Sequence, residues 1–212
     1  MPVNGYFKKF VFIFFLLSGL CALYGCESKT RDQFYAEGLE QMNKGNMGGA
    51  VVLFRNALEK DLNFFDARYQ LATAYTAMGK YEQAEKEFQK LSRQNPSHTG
   101  MKLGLAKVYI FTNRPDMAIE KAGECLEKNP TDSTALEILG IGYAARNRPV
   151  EAEDYLTRAV KSDPGKMSAK LELARIYAST GKELKARALL DEVIRRDPKN
   201  AKPYYVLAAL EM

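Results

Sequence analysis

Residues 96–130 read PSHTGMKLGLAKVYIFTNRPDMAIEKAGECLEKNP, a stretch that opens and closes on proline 34 residues apart. The same interval separates Pro130 from Pro164 and Pro164 from Pro198. A fixed period of this length marks a stacked helical array, not a single closed core. With proline as the thirty-second residue of each unit, the repeats run 31–64, 65–98, 99–132, 133–166 and 167–200, and a partial sixth covers 201–212. The columns keep step. Position 7 is Leu71, Leu105, Leu139, Leu173 and Leu207, and position 8 is Gly38, Ala72, Ala106, Gly140, Ala174 and Ala208. Position 11 is Tyr75, Tyr109, Tyr143 and Tyr177, and position 20 is Ala50, Ala84, Ala118, Ala152 and Ala186.

Each column has a physical cause. Small residues at positions 8 and 20 let two antiparallel helices approach closely, while leucine at 7, tyrosine at 11 and a bulky residue at 24 (Phe54, Phe88, Leu156, Leu190) fill the space beside them. Position 15 is Gly45, Gly79, Asn113, Asn147 and Gly181, the residue types that tolerate the left-handed conformation ending a helix. Pro115 and Pro149 sit just inside the second helix, where a missing N–H costs nothing. The Asn-Pro and Asp-Pro pairs at positions 31 and 32 stop that helix before the next repeat. Each unit therefore reads as helix, turn, helix, stop.

Over residues 31–212 these columns resemble the tetratricopeptide repeat (TPR). The resemblance implies an all-α fold, a right-handed superhelical solenoid of antiparallel helix pairs, preceded here by an N-terminal signal or anchor segment. Departures fall in the first repeat, with Leu62 in place of the proline, Glu37 at position 7 and Gln41 at position 11, and in the third, with Ala122 at position 24. A deviating first repeat is expected of a terminal cap. Tyr204, Tyr205, Val206, Leu207 and Leu210 lie in one short terminal helix with no polar closing helix after it, which reads as the front part of a longer array; a single capping helix is the alternative.

Residues 1–25 are a different material. Lys8 and Lys9 precede an uncharged apolar run from Phe10 to Leu23, short for a membrane span and right for a secretory leader. Its end, Leu23-Tyr24-Gly25-Cys26, resembles the bacterial lipobox, which implies cleavage before Cys26, acylation of that residue and a linker over 26–30. An uncleaved helical anchor is the alternative. Either way the repeats are expected to face the periplasm or cell exterior while tied to a membrane. By the family rule Glu27 favours the outer membrane over the inner.

Composition narrows the functional classes. Without the two leader lysines the balance is 29 basic against 26 acidic residues, +3, with the charges interspersed and no basic stripe carrying stacked aromatics, so nucleic acid is not expected as a partner. Only Cys125 remains once Cys21 is cleaved away and Cys26 is acylated, so no intrachain disulfide is expected; at position 27 it reads as a packed helix residue. His98, the one histidine, falls in a turn, which argues against a histidine-based triad and excludes a multi-histidine metal site. No paired carboxylates in an apolar setting and no phosphate-cradling glycine loop are found; Gly48-Gly49 opens a helix. No enzyme activity, cofactor, metal or small-molecule substrate is expected.

The expected activity is protein binding. In the TPR fold the first helix of each pair lines the inner face, and family geometry turns positions 2, 5, 9, 12 and 13 toward it. The resemblance thus implies a groove made of Tyr35, Leu39, Met42 and Asn43; Tyr69, Thr73 and Thr76; Leu103, Lys107, Ile110 and Phe111; Glu137 and Ile141; Leu171 and Arg175; and Tyr205. Such a surface suits a peptide held by apolar anchors, with Lys107 and Arg175 available to an acidic group. Several of these residues, notably Leu103, Ile110 and Leu171, have packing between repeats as an equal alternative.

A narrower resemblance rests on the lipobox followed by Gly49-Ala50-Val51-Val52-Leu53-Phe54-Arg55-Asn56-Ala57-Leu58-Glu59-Lys60-Asp61. It is similar to the TPR lipoprotein of the PEP-CTERM/exosortase system, and implies a scaffold beside exosortase-dependent protein sorting and exopolysaccharide export. Two alternatives stay open: an envelope assembly factor for outer-membrane proteins or pilus subunits, and the TPR arm of a larger enzyme.

Overall fold

A 34-residue unit cannot bury enough apolar surface to offset the entropy of ordering it, so its hydrophobic face must be shared with neighbours. The computed structural model describes residues 29–211 and shows how that sharing is done; the leader and Cys26 lie outside the described residues. Eleven α-helices and no strand occur among the described residues. Five pairs follow one another: α1 (Arg31–Asn43) with α2 (Met47–Lys60), α3 (Phe65–Ala77) with α4 (Tyr81–Gln94), α5 (Thr99–Phe111) with α6 (Pro115–Lys128), α7 (Ser133–Ala145) with α8 (Pro149–Ser162), and α9 (Met167–Ser179) with α10 (Glu183–Arg196). The odd helix α11 (Lys202–Leu210) follows. Every pair occupies positions 1–13 and 17–30 of its repeat, including the first, where no proline marks the boundary.

The turn inside each pair explains this constancy. Gly45, Gly79, Asn113, Asn147 and Gly181 all take positive φ, between 54° and 76°. The amide of the next residue then reaches back to the carbonyl at position 11: Lys80 to Tyr75 at 2.9 Å, Arg114 to Tyr109 at 2.8 Å, Arg148 to Tyr143 at 3.0 Å and Lys182 to Tyr177 at 2.8 Å. Carbonyls otherwise orphaned at a helix end are thereby satisfied. Helix starts are capped where the sequence supplies an acceptor: Thr30 with Gln33 forms a capping box, Asp132 accepts from the amides of Thr134 and Ala135, and His98 accepts from Met101. His98 is thus the N-cap of α5, a more specific role than a turn residue.

The position 20 alanines are fully buried, as are Phe54, Leu156 and Leu190, and the leucines at position 7 are nearly so up to Leu173. Separate buried clusters follow one another from Phe54 and Leu71 through Phe88, Leu105 and Leu139 to Leu173 and Leu190, and the half-buried Tyr75, Tyr143 and Leu189 each pack against two of them and link the series along the array. First helices of successive repeats touch one another, α1 with α3, α3 with α5 and so on to α11, whereas second helices do not touch each other. The stack therefore bends toward its first helices, and they line the concave side.

Candidate functional site

Among the described residues the concave side includes two hollows of note. The first, of about 570 Å3, lies between α3 and α5. Tyr69, Thr73, Thr76 and Ala77 form one wall, and Leu103, Lys107 and Phe111 the other, with Tyr81 and Phe88 of α4 and Thr134 of α7 completing it. Two glycines of α5, Gly100 and Gly104, complete the lining. A glycine inside a helix costs about 1 kcal/mol against alanine, so each needs a reason. A Cβ on Gly104 would collide with the Phe88 ring, and one on Gly100 would stand 3.0 Å from the His98 imidazole and 3.1 Å from the Tyr69 hydroxyl. Close packing by those aromatic rings hollows α5 on its inner face.

Phe111 is 57% exposed although it is a large apolar residue in a folded repeat. Its ring stacks on Tyr81, with centroids 5.1 Å apart and planes 13° from parallel, so it is held ready and not free to collapse. Thr73 and Thr76 donate their hydroxyl protons to the carbonyls of Tyr69 and Ala72, both at 2.9 Å, leaving oxygen lone pairs to face the hollow. Lys107 is exposed and has no ion-pair partner among the described residues. Burial pushes the Tyr69 phenol up, away from ionisation.

The second hollow, of about 820 Å3, lies between α9 and α11 and also includes Phe111. It is lined by Leu171, Glu172, Arg175, Ala178 and Ser179, and by Lys202, Tyr205, Val206, Ala209 and Leu210. Because Phe111 belongs to both, the trough continues from the second repeat to the sixth. Arg175 is not a free cation: its Nη1 donates to both carboxylate oxygens of Glu172, at 3.2 and 3.5 Å. Burial, and after it the nearby charge of Glu137, pushes the Glu172 carboxyl up; the attraction of Arg175 and Lys202 opposes this.

Among the described residues no cluster of three or more His, Cys, Asp or Glu is placed to hold a metal ion, and no helix is long and apolar enough to cross a membrane. Cys125 is fully buried, donates its S–H to the Lys121 carbonyl at 3.3 Å, and is held protonated by burial. Both hollows are open to solvent along the concave side.

A family model described as tetratricopeptide repeat matches residues 42–99 and 143–210, more than half of the chain, and a second model of the same description matches 103–166. The chain belongs to the tetratricopeptide repeat family. Among solved structures, the TPR protein TTC0263 of Thermus thermophilus superposes with a TM-score of 0.75 at 21% identity, over 86% of this chain and 100% of that one. PilF of Pseudomonas aeruginosa gives 0.70 at 22% identity, over 85% and 82%. YrrB, described as a TPR protein with an unusual peptide-binding site, gives 0.58 at 21% identity, over 83% and 91%. Identities this low establish a shared fold and no more. No curated protein sequence matches the chain significantly.

The TPR register places the groove candidates unevenly. Tyr69, Thr73, Thr76, Leu103, Lys107 and Phe111 converge on the first hollow, and Leu171, Arg175 and Tyr205 on the second. Tyr35 instead packs between Phe54 and Phe64, at 5.9 and 5.1 Å, and Leu39 and Met42 pack on the same first-repeat core, while Asn43 is exposed at the end of α1. Ile110 packs on the central core. Glu137 is buried with its carboxylate 3.4 Å from Lys166, and Ile141, half-buried, lines neither hollow. Cys26 lies outside the described residues.

Position 6 was missed: Gly104 and Glu172 both stand there and both line the trough. Position 6 lies four residues after position 2 and three before position 9, so helical spacing alone puts it on the same face. Tyr81 was missed as well, because it belongs to a second helix; it lines the first hollow and stacks on Phe111 of the next repeat.

Proposed function

We propose that this protein is a lipid-anchored, non-catalytic scaffold of the bacterial envelope that binds partner proteins through the concave face of its repeats. The observation that carries the binding role is the first hollow: an exposed Phe111 held by Tyr81, beside Tyr69, Leu103 and an unpaired Lys107. An apolar anchor residue of a partner fits against the rings, while Lys107 meets an acidic neighbour. The peptide-binding site described for YrrB supports this reading by fold analogy.

Anchoring rests on the leader and the lipobox-like end at Cys26, and exposure to the periplasm follows from it. The α1 helix starts at Arg31, so a lipid on Cys26 keeps the first repeat within about 18 Å of the membrane surface. The outer membrane is the expected location, and exosortase-dependent protein sorting with exopolysaccharide export is the expected process.

The test is capture from envelope extracts by residues 27–212, comparing the native sequence with a Tyr69→Ala, Phe111→Ala double variant. The variant keeps its helical circular dichroism and loses the captured partner; capture that survives both substitutions refutes the groove. Separately, Cys26→Ser abolishes incorporation of labelled palmitate and releases the chain from membranes.

A further inference from the structure

The second hollow holds two cations and a carboxylate in one place, and the carboxylate is badly solvated. Glu172 lies on α9 with its side chain 27% exposed, and its one ion-pair partner among the described residues is Arg175, one turn along the same helix. From α7, Glu137 sits close enough for its negative charge to oppose that of Glu172, and is itself engaged by Lys166. From α11 comes Lys202, which forms no ion pair among the described residues, and from α5 comes the uncharged Phe111. Apart from the Ser179 hydroxyl, the remaining lining is mainly apolar: Leu171, Ala178, Val206, Ala209, Leu210 and the ring of Tyr205, which is 74% exposed.

We infer that this hollow is a proton-gated site for an acidic segment of a partner protein: Glu172 occupies Arg175 until it is protonated, and an acidic group of the partner then pairs with Arg175 and Lys202. The inference rests on the binding role proposed above and adds to it a ligand chemistry and a control. Charge decides the occupant. With Glu172 ionised, Lys202 is the single cation of the hollow without a carboxylate partner; with Glu172 protonated, Arg175, whose side chain is 61% exposed and so within a partner's reach, joins it beside the apolar side chains of Leu171, Val206 and Leu210.

The sign follows from where the proton binds. Burial and the neighbouring Glu137 oppose the ionised form of Glu172, so it takes up a proton at a higher pH than a free glutamate. An anion that prefers the protonated site binds more tightly as pH falls through that value, and by linkage its binding draws a proton onto Glu172. A compartment open to external acidity would thereby switch the hollow from weak to strong binding.

The probe is 8-anilinonaphthalene-1-sulfonate, whose rings suit the apolar wall and whose sulfonate stays ionised throughout, followed by fluorescence titration at pH 7.5 and 5.0 with circular dichroism at both. The native chain binds at least about fivefold more tightly at pH 5.0. Glu172→Gln, which mimics the protonated side chain, binds tightly at both values, and Arg175→Ala binds weakly at both. Glu172→Ala also frees Arg175 and reproduces the tight binding at pH 7.5, a check against misfolding of any one variant. Equal affinity of the native chain and both Glu172 variants at pH 7.5 overturns the gate. That outcome leaves partner capture at neutral pH intact, so it is distinguishable from failure of the groove itself, which the Tyr69 and Phe111 variant reads.

Discussion

Arg114, at the turn of the third repeat, lies with its guanidinium 4.6 Å from the ring centre of Tyr109 and donates to both oxygens of Glu85 in the second repeat, at 3.0 and 2.6 Å. One side chain thus ties a turn to the tyrosine beneath it and to the neighbouring repeat. The arrangement recurs where chemistry permits: Arg148 stands over Tyr143 at 4.9 Å and Lys182 over Tyr177 at 5.7 Å, and Lys182 bridges to Glu153 at 2.5 Å. Arg148 lacks the bridge because Ile119 occupies the matching place in the preceding repeat, and it turns to Glu151 instead. Since Arg114 makes both a cation–π contact and a bidentate ion pair, Arg114→Ala costs about 1–2 kcal/mol by thermal or urea unfolding, and Arg114→Lys recovers part of it. An unchanged midpoint for Arg114→Ala would show that the repeat interface does not depend on it.

Glycines separate in the same way. A Cβ on Gly104 runs into the Phe88 ring, which is 1% exposed and has nowhere to go, whereas a Cβ on Gly123 in α6 meets nothing within 4 Å. Gly104→Ala is expected to lower stability by about 1–3 kcal/mol through overpacking. Gly123→Ala raises it by about 0.5–1 kcal/mol, the ordinary gain of replacing glycine inside a helix. Chemical denaturation of the two variants side by side checks the contrast; a shared sign contradicts it.

The columns at 7, 8, 11, 15 and 20 were legible because close helix approach and a left-handed turn restrict residue type directly. What lies between repeats was not, since it depends on which neighbour a side chain meets. Phe54 packs on Gly38 of its own repeat, while Phe88, in the same column, packs on Gly104 of the next. Leu103 and Glu137 share position 5, yet Leu103 lines the first hollow and Glu137 is buried against Lys166, a residue supplied by the following turn. A cation column at position 4 was readable and went unread: Lys102 pairs with Glu124 and Lys170 with Glu192, each 22 residues on and inside its own repeat. The groove was legible only where the residue from the next repeat leaves space, as Gly100 and Gly104 do.

Acid sensitivity follows from the first of those pairs. Burial works against the Glu124 carboxylate, but hydrogen bonds from Lys102 and Lys121 outweigh it and hold the group below the usual carboxylate range. A carboxyl whose folded value is depressed contributes stability that is present above its unfolded value, near 4.3, and is lost as pH falls through the folded value. Glu124→Gln is therefore expected to cost about 1–2 kcal/mol at pH 7, and the gap from the native chain to close as both are acidified below about pH 4. Urea titrations at pH 7, 5 and 3 measure the gap, and a difference that stays constant with pH rules out the charge as its source.

Tyr81 offers the sharpest separation of binding from folding. It is half-buried at the start of α4, and its ring contacts the exposed Phe111 in a stack 5.1 Å between centroids. Removing it leaves Phe111 in place but free to rotate away from the trough, so a partner must pay for the ordering that the stack now supplies in advance. Tyr81→Ala is expected to weaken partner capture by about threefold to tenfold, the worth of one aromatic pair. Tyr81→Phe keeps the stack and retains affinity, and its retention distinguishes ring packing from any role of the hydroxyl. If both variants bind alike, whether tightly or weakly, preorganisation of Phe111 is not what gives the first hollow its grip.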